Sequence, residues 1–137
     1  MPTMAHTIID RVHIAVHGEA SPTAGEWTSY LNDIGQRQSE FDVVLVWTLG
    51  GGPNATQRDE ANRFWRNVRQ KKRMAVMTPS LFIRVLATAL GPIMGDVIKP
   101  FAVTDFLGAS AFLRLGPGQA DAVRHAVERM AAELERG

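Results

Sequence analysis

The sequence contains no cysteine. That excludes disulfides, thiolate metal sites and a cysteine nucleophile, and it fits a reducing compartment. Net charge is nearly absent as well. The 15 lysines and arginines against 14 acidic residues leave +1, so no global field recruits nucleic acid or an anionic membrane surface. Long hydrophobic runs are missing too. The longest apolar stretches, such as Val43–Trp47 and Phe101–Val103, have strand length, and Met1 to Ile9 lacks the apolar run of a signal peptide or membrane helix. A cytoplasmic chain without a membrane span is the expectation.

What is present is the composition of a packed domain. With 137 residues, 45% of them hydrophobic and 21% charged, the chain can bury a real core. Segments of strand and helix character alternate along it. His6–Ile9 and Arg11–His17 read as short strands about a tight turn at Asp10-Arg11. Val12, Ile14 and Val16 alternate with His13, Ala15 and His17, which predicts a strand with one fully buried face. Ser21-Pro22 is a helix start with serine as the cap, and the helix runs to about Gln38 with Trp27, Leu31 and Ile34 on one face. Asp42–Thr48 is a continuously apolar central strand. Asn54–Gln70 is a second helix with Ala61, Phe64, Trp65 and Val68 buried, and Arg73–Met77 is another buried strand.

From Thr78-Pro79-Ser80 an apolar helix is expected over Leu81–Leu90. Ile98–Val103 is a strand in which Pro100 predicts an edge position or a bulge. Thr104 caps a short helix to Leu113, and Gly116-Pro117-Gly118 precedes a final amphipathic helix. Alternating strands and helices imply a mostly parallel sheet covered by helices. The whole chain, 1–137, is read as one α/β domain with a core over about 6–115 and an added C-terminal helix over about 119–136.

Three segments carry a family resemblance. RMAVMTPSLFIRVLATALG (Arg73 to Gly91) looks like the strand, turn and helix near the end of STAS domains, the sulfate-transporter and anti-sigma-factor-antagonist fold. IKPFAVTDFLGASAFL (Ile98 to Leu113) resembles the last strand and short helix of that fold. VLVWTLGGGPNATQR (Val44 to Arg58) resembles the strand and glycine loop of small bacterial STAS-like proteins grouped with CRAL-TRIO-like lipid-transfer folds. The resemblance covers Val12 to Leu113 and implies a regulatory module working by protein contact. The turn that holds a phosphorylatable serine in regulatory STAS proteins reads Gly51-Gly52-Pro53-Asn54-Ala55-Thr56 here. It has no serine, which leaves Thr48 and Thr56 as the phospho-acceptor candidates.

The glycine loop is the most specific site signal. Gly50, Gly51, Gly52, Asn54 and Thr56 lie between a strand and a helix N-terminus, where close backbone approach and free amides favour a small anion or a partner surface. The next strand ends without the acidic residue a dinucleotide site needs, and there is no P-loop lysine, so nucleotide binding is not expected. The default reading of the same residues is a plain tight strand-to-helix turn. Arg66, Arg69 and Lys72, with neighbouring basic residues, form a basic patch, read as a solvated face rather than a specific nucleic-acid site.

His13 and His17 share a strand face but stand about 13 Å apart at roughly 3.3 Å per residue. His6 lies in a terminal segment and His125 on the last helix, so no metal site or other cofactor is expected. Ser80 lacks a nucleophile elbow and an ordered histidine–acid pair, so no catalytic group is assigned.

Two functions compete. One is a non-enzymatic STAS-like interaction module, self-associating or binding a protein partner through Phe82, Leu86, Leu90, Ile93 and Met94. The other is a small-molecule or lipid-binding module with an apolar pocket beside the Leu81–Met94 helix.

Overall fold

A computed structural model describes residues 2–68, 71–79 and 97–136. The chain begins with a hairpin. Strand β1 (Met4–Ile9) pairs antiparallel with β2 (Val12–His17), Ile9 opposite Val12. The two residues between them, Asp10 (φ 48°) and Arg11 (φ 66°), both take positive φ. That is the primed-turn geometry whose twist matches the strands it joins. Helix α1 (Ala24–Gln36) follows, then a 3-10 turn (Gln38–Glu40), β3 (Val43–Thr48), helix α2 (Ala55–Arg66) and β4 (Met74–Met77). Edge strand β5 (Ile98–Phe101), helix α3 (Phe106–Leu113) and helix α4 (Pro117–Arg136) complete the described elements.

Strand order is β1-β2-β3-β4-β5, and every pair from β2 onward is parallel. Right-handed crossovers that advance in one direction place their helices on one face. Accordingly α1 and α2 share a face, where Trp27, Tyr30, Ile34 and Trp65 pack on Ala15, Val44 and Met74. The opposite face, formed by Val12, Ile14, Val16, Leu45 and Met77, is covered by α3 and α4 through Ala109, Leu113, Val123, Val127 and Met130. Among the described residues β5 pairs only with β4, the edge position that Pro100 predicts, where a missing N–H is tolerated.

Several sequence expectations are corrected. Strand β2 is buried on both faces, all six residues of it, because α4 folds back over the side opposite α1. The C-terminal helix is therefore packed into the core, covering one face of the sheet with α3. It also starts at Pro117, where the missing N–H is harmless, and Gln119 Oε1 accepts from Gly116 N at 3.1 Å. Helix α1 is capped by Thr23 instead of Ser21, because Thr23 and Glu26 form a reciprocal capping box. Asp105 replaces Thr104 as the cap of α3, its carboxylate accepting from Gly108 N. Ser80, the Leu81–Leu90 helix and the interface candidates Phe82, Leu86, Leu90, Ile93 and Met94 lie outside the described residues, as does Arg69. Among the described residues no helix is long and apolar enough to cross a membrane.

Candidate functional site

Open α/β sheets bind ligands in the crevice beyond the carboxyl ends of their strands. Here the loops leaving β2 and β3 are stitched together over that crevice. Leu49 N donates to His17 O at 3.1 Å and Gly51 N to Gly18 O at 2.9 Å. Gly50, at φ 134°, donates to Thr48 Oγ1 at 3.0 Å, and that hydroxyl in turn donates to Gly51 O. Asn54 caps α2 and exchanges bonds of 2.9 Å with Gln57 in both directions. The amides of Gly50, Gly51, Asn54 and Gln57 are thus bonded within the protein. They serve loop closure, the plain-turn reading of the glycine segment. Gly52 and Thr56 stay accessible to solvent at the rim, whereas Thr48 is buried under the loop.

Beneath this closure lies a cavity of about 80 Å³. Its sheet side is Val46, Met74, Val76 and Ile98, and its helical side is Trp27, Tyr30, Ala61 and Trp65. The walls are tied together: Trp27 Nε1 donates to Gln57 O at 3.1 Å, and Gln57 Nε2 to Pro22 O at 2.9 Å, so α1 and α2 hold a fixed spacing. His17, Arg58 and Asn62 add polar character to an otherwise apolar lining. Among the described residues, two of these carry buried atoms with no hydrogen-bond partner, His17 Nδ1 and Asn62 Oδ1. Burial pushes the His17 imidazole down to about 4, with Glu26 opposing only weakly, so the ring is neutral at physiological pH. The sequence marked Trp27 and Trp65 as core residues. It gave no sign that His17, buried at the end of β2, would share a cavity with them.

The basic residues are held in different ways. Arg66 is exposed on α2, but Lys72 is only 9% exposed. Its ammonium donates to Gln38 O and to Phe41 O (2.6 Å) and sits 4.1 Å from the Phe41 ring centre. Lys72 therefore clamps the turn before β3, and burial lowers its pKa. Arg58 Nη1 donates to Pro53 O at 3.2 Å, and Arg73 Nη1 to Phe112 O at 3.1 Å. Arg58, Lys72 and Arg73 are thus each placed by backbone carbonyls.

A second polar cluster lies on the same side of the sheet, nearer the hairpin. The antiparallel pairing sets His6 diagonally beside His13, their rings stacked with centres 5.8 Å apart. Asp33 from α1 reaches both: His13 Nε2 is 3.0 Å and His6 Nδ1 3.3 Å from Asp33 Oδ2. His13 is fully buried. Burial lowers its pKa, against the opposing pull of Asp33. Burial by itself would raise the Asp33 pKa, but the His13 bond, His6 and Arg37 outweigh it and hold the carboxyl below its ordinary range. Along β2 alone, His13 and His17 are too far apart to share a metal. The partners that the fold supplies come instead from the neighbouring strand and from α1. Among the described residues His6, His13 and Asp33 are the group whose ligand atoms converge, all within 4.8 Å of one another. Compared with known protein families, with curated proteins and with solved structures, the chain finds no match.

Proposed function

We propose that this chain is a non-enzymatic binding module that takes the apolar end of a small ligand in the cavity between α1, α2 and the sheet. The observation that carries this reading is the pair of buried atoms, His17 Nδ1 and Asn62 Oδ1, that find no partner among the described residues and belong to side chains lining that apolar cavity. Buried polar groups without partners cost on the order of 1–3 kcal/mol each, and a ligand that supplies those bonds recovers the cost. The volume sets the ligand's scale. An engineered cavity of about 150 Å³ accepts benzene, so about 80 Å³ suits an aliphatic end of roughly three or four carbons with a hydrogen-bonding head.

Short-chain alcohols and primary amides are suitable probes. At ten times its Kd, a probe that binds only the folded chain stabilises it by about 1.4 kcal/mol, or roughly 4 °C in Tm. Ala61→Leu places three further carbons in the cavity and should abolish the response. Equal shifts in both proteins, or none in either, would remove the support for this reading.

The STAS-like interaction module is the second reading, with the cytoplasm as its compartment. The mostly parallel sheet with its antiparallel edge is compatible with it, and one surface observation favours it: Leu107 on α3 is 85% exposed, and Ala111 one turn on is exposed too. A large apolar side chain so exposed is commonplace singly, so the test is direct. If α3 mediates self-association, Leu107→Glu should turn a dimer seen by light scattering into a monomer without lowering Tm. A monomeric wild type that captures no partner through α3 would count against this reading.

A further inference from the structure

The geometry points to a divalent transition-metal site formed by His6 Nδ1, His13 Nε2 and a carboxylate oxygen of Asp33. Two imidazoles and one carboxylate are a donor set that suits zinc and its first-row neighbours, whereas magnesium and calcium favour all-oxygen shells. Zinc–ligand bonds of about 2.0–2.2 Å place neighbouring ligand atoms about 3.3 Å apart in a tetrahedron. The two histidine-to-Asp33 separations, 3.3 and 3.0 Å, already have that spacing. The two histidine nitrogens lie within 4.8 Å of each other. His6 can close that gap, because its side chain is 23% exposed while His13 is fixed in the core.

The surroundings also suit a site. Arg37 Nη1 approaches the other Asp33 oxygen, Oδ1, at 3.5 Å, which leaves Oδ2 facing the two rings. Arg37 is itself held by Glu40 at 3.0 and 3.1 Å, so its charge is partly compensated. Tyr30 and Phe41 pack edge-on against the rings and limit their rotation: Tyr30 lies 5.6 Å from His6 and 5.7 Å from His13, and Phe41 lies 5.1 Å from His13. A groove along α1, lined by His6, Thr28, Asn32, Asp33 and Gln36, gives solvent access. Water can therefore take the remaining position, the arrangement of a three-ligand site with one open place.

Without metal, the same three groups form an ordinary hydrogen-bonded cluster. The distinction is a matter of measurement. Full-length protein stripped with chelator is titrated with zinc chloride by calorimetry and, separately, with cobalt(II) followed by visible absorption. The expected result is one equivalent of zinc, a low-symmetry cobalt spectrum reversed by zinc, and no uptake of magnesium. His6→Ala and the milder His6→Gln should each weaken zinc binding by about tenfold or more, with an unchanged circular dichroism spectrum. Asp33→Asn, which keeps the size of the side chain, should do the same. No zinc uptake by the wild type, or equal uptake by all three variants, overturns the assignment.

Discussion

Lowering the pH from 7 to 4 is expected to cost the folded chain about 3 kcal/mol through His17 alone. The unfolded imidazole titrates near 6.5, the folded one near 4, and each unit of difference corresponds to about 1.4 kcal/mol. Because the folded pKa is the lower one, the unfolded state binds more protons between these values. Stability therefore falls as pH drops from 6.5, and the loss is complete below about 4. The physical cause is burial: His17 is 3% exposed, and Trp27 and Tyr30 line the same space.

His13, whose pKa burial also lowers, adds a loss of the same sign as pH falls below 6.5. The Glu26 carboxyl contributes lower down. Burial pushes it up, but bonds from the Thr3 hydroxyl and the amides of Thr23, Thr3 and Met4 bring it down to about 2, so its contribution disappears as pH falls below 4.5. Urea unfolding of the wild type and His17→Gln at pH 7, 5.5 and 4 separates these terms. The difference between the two proteins should narrow by about 3 kcal/mol across the series. A constant difference would mean that water reaches His17 freely and the cavity is not the apolar enclosure described.

Gly51→Ala should destabilise the chain by about 3 kcal/mol, the upper end of what overpacking costs. A Cβ at Gly51 would lie closer than 3.0 Å to the carbonyl oxygens of Ala20 and Gly18. These are backbone atoms, which cannot swing aside as the tip of a side chain can. The substitution must therefore part the loop from the 18–20 segment and weaken the Gly51 N to Gly18 O bond. That opens the roof above His17 and Pro53. Gly52→Ala is the matched control, because among the described residues nothing lies within 4 Å of the Cβ it would add. It should change stability by no more than about 0.5 kcal/mol, as uncrowded surface substitutions do. Equal effects from the two glycines would show that the loops are not packed together.

The sheet was largely legible because its signals are local. The Asp10-Arg11 turn, the apolar run ending at Thr48 and the proline at position 100 each report on the backbone where they stand. Burial was legible only where one face decides it. The alternation in Val12–His17 predicts one covered side; the second cover is α4, more than a hundred residues later, and no window on β2 contains it. Lys72 shows the same limit. In sequence it belongs to a basic run, yet its position is set by the carbonyls of Gln38 and Phe41.

The His6–His13–Asp33 cluster was missed for a related reason. Spacing along β2 reports only on His13 and His17, whereas the hairpin register brings His6 alongside and the α1 crossover brings Asp33 down onto both. Three residues from three elements carry no periodic signature. Likewise, Asn62 reads as a polar helix residue until Trp65 and Val76 are placed around it.

Native mass spectrometry of the wild type beside Ala61→Leu, both purified without organic additives and then exposed to a short-chain amide, tests the binding reading most directly. The cavity between Trp27, Trp65 and Val46 should give the wild type a one-to-one non-covalent adduct that Ala61→Leu lacks. A wild type recorded only at its bare mass, or an adduct that survives Ala61→Leu undiminished, would contradict it.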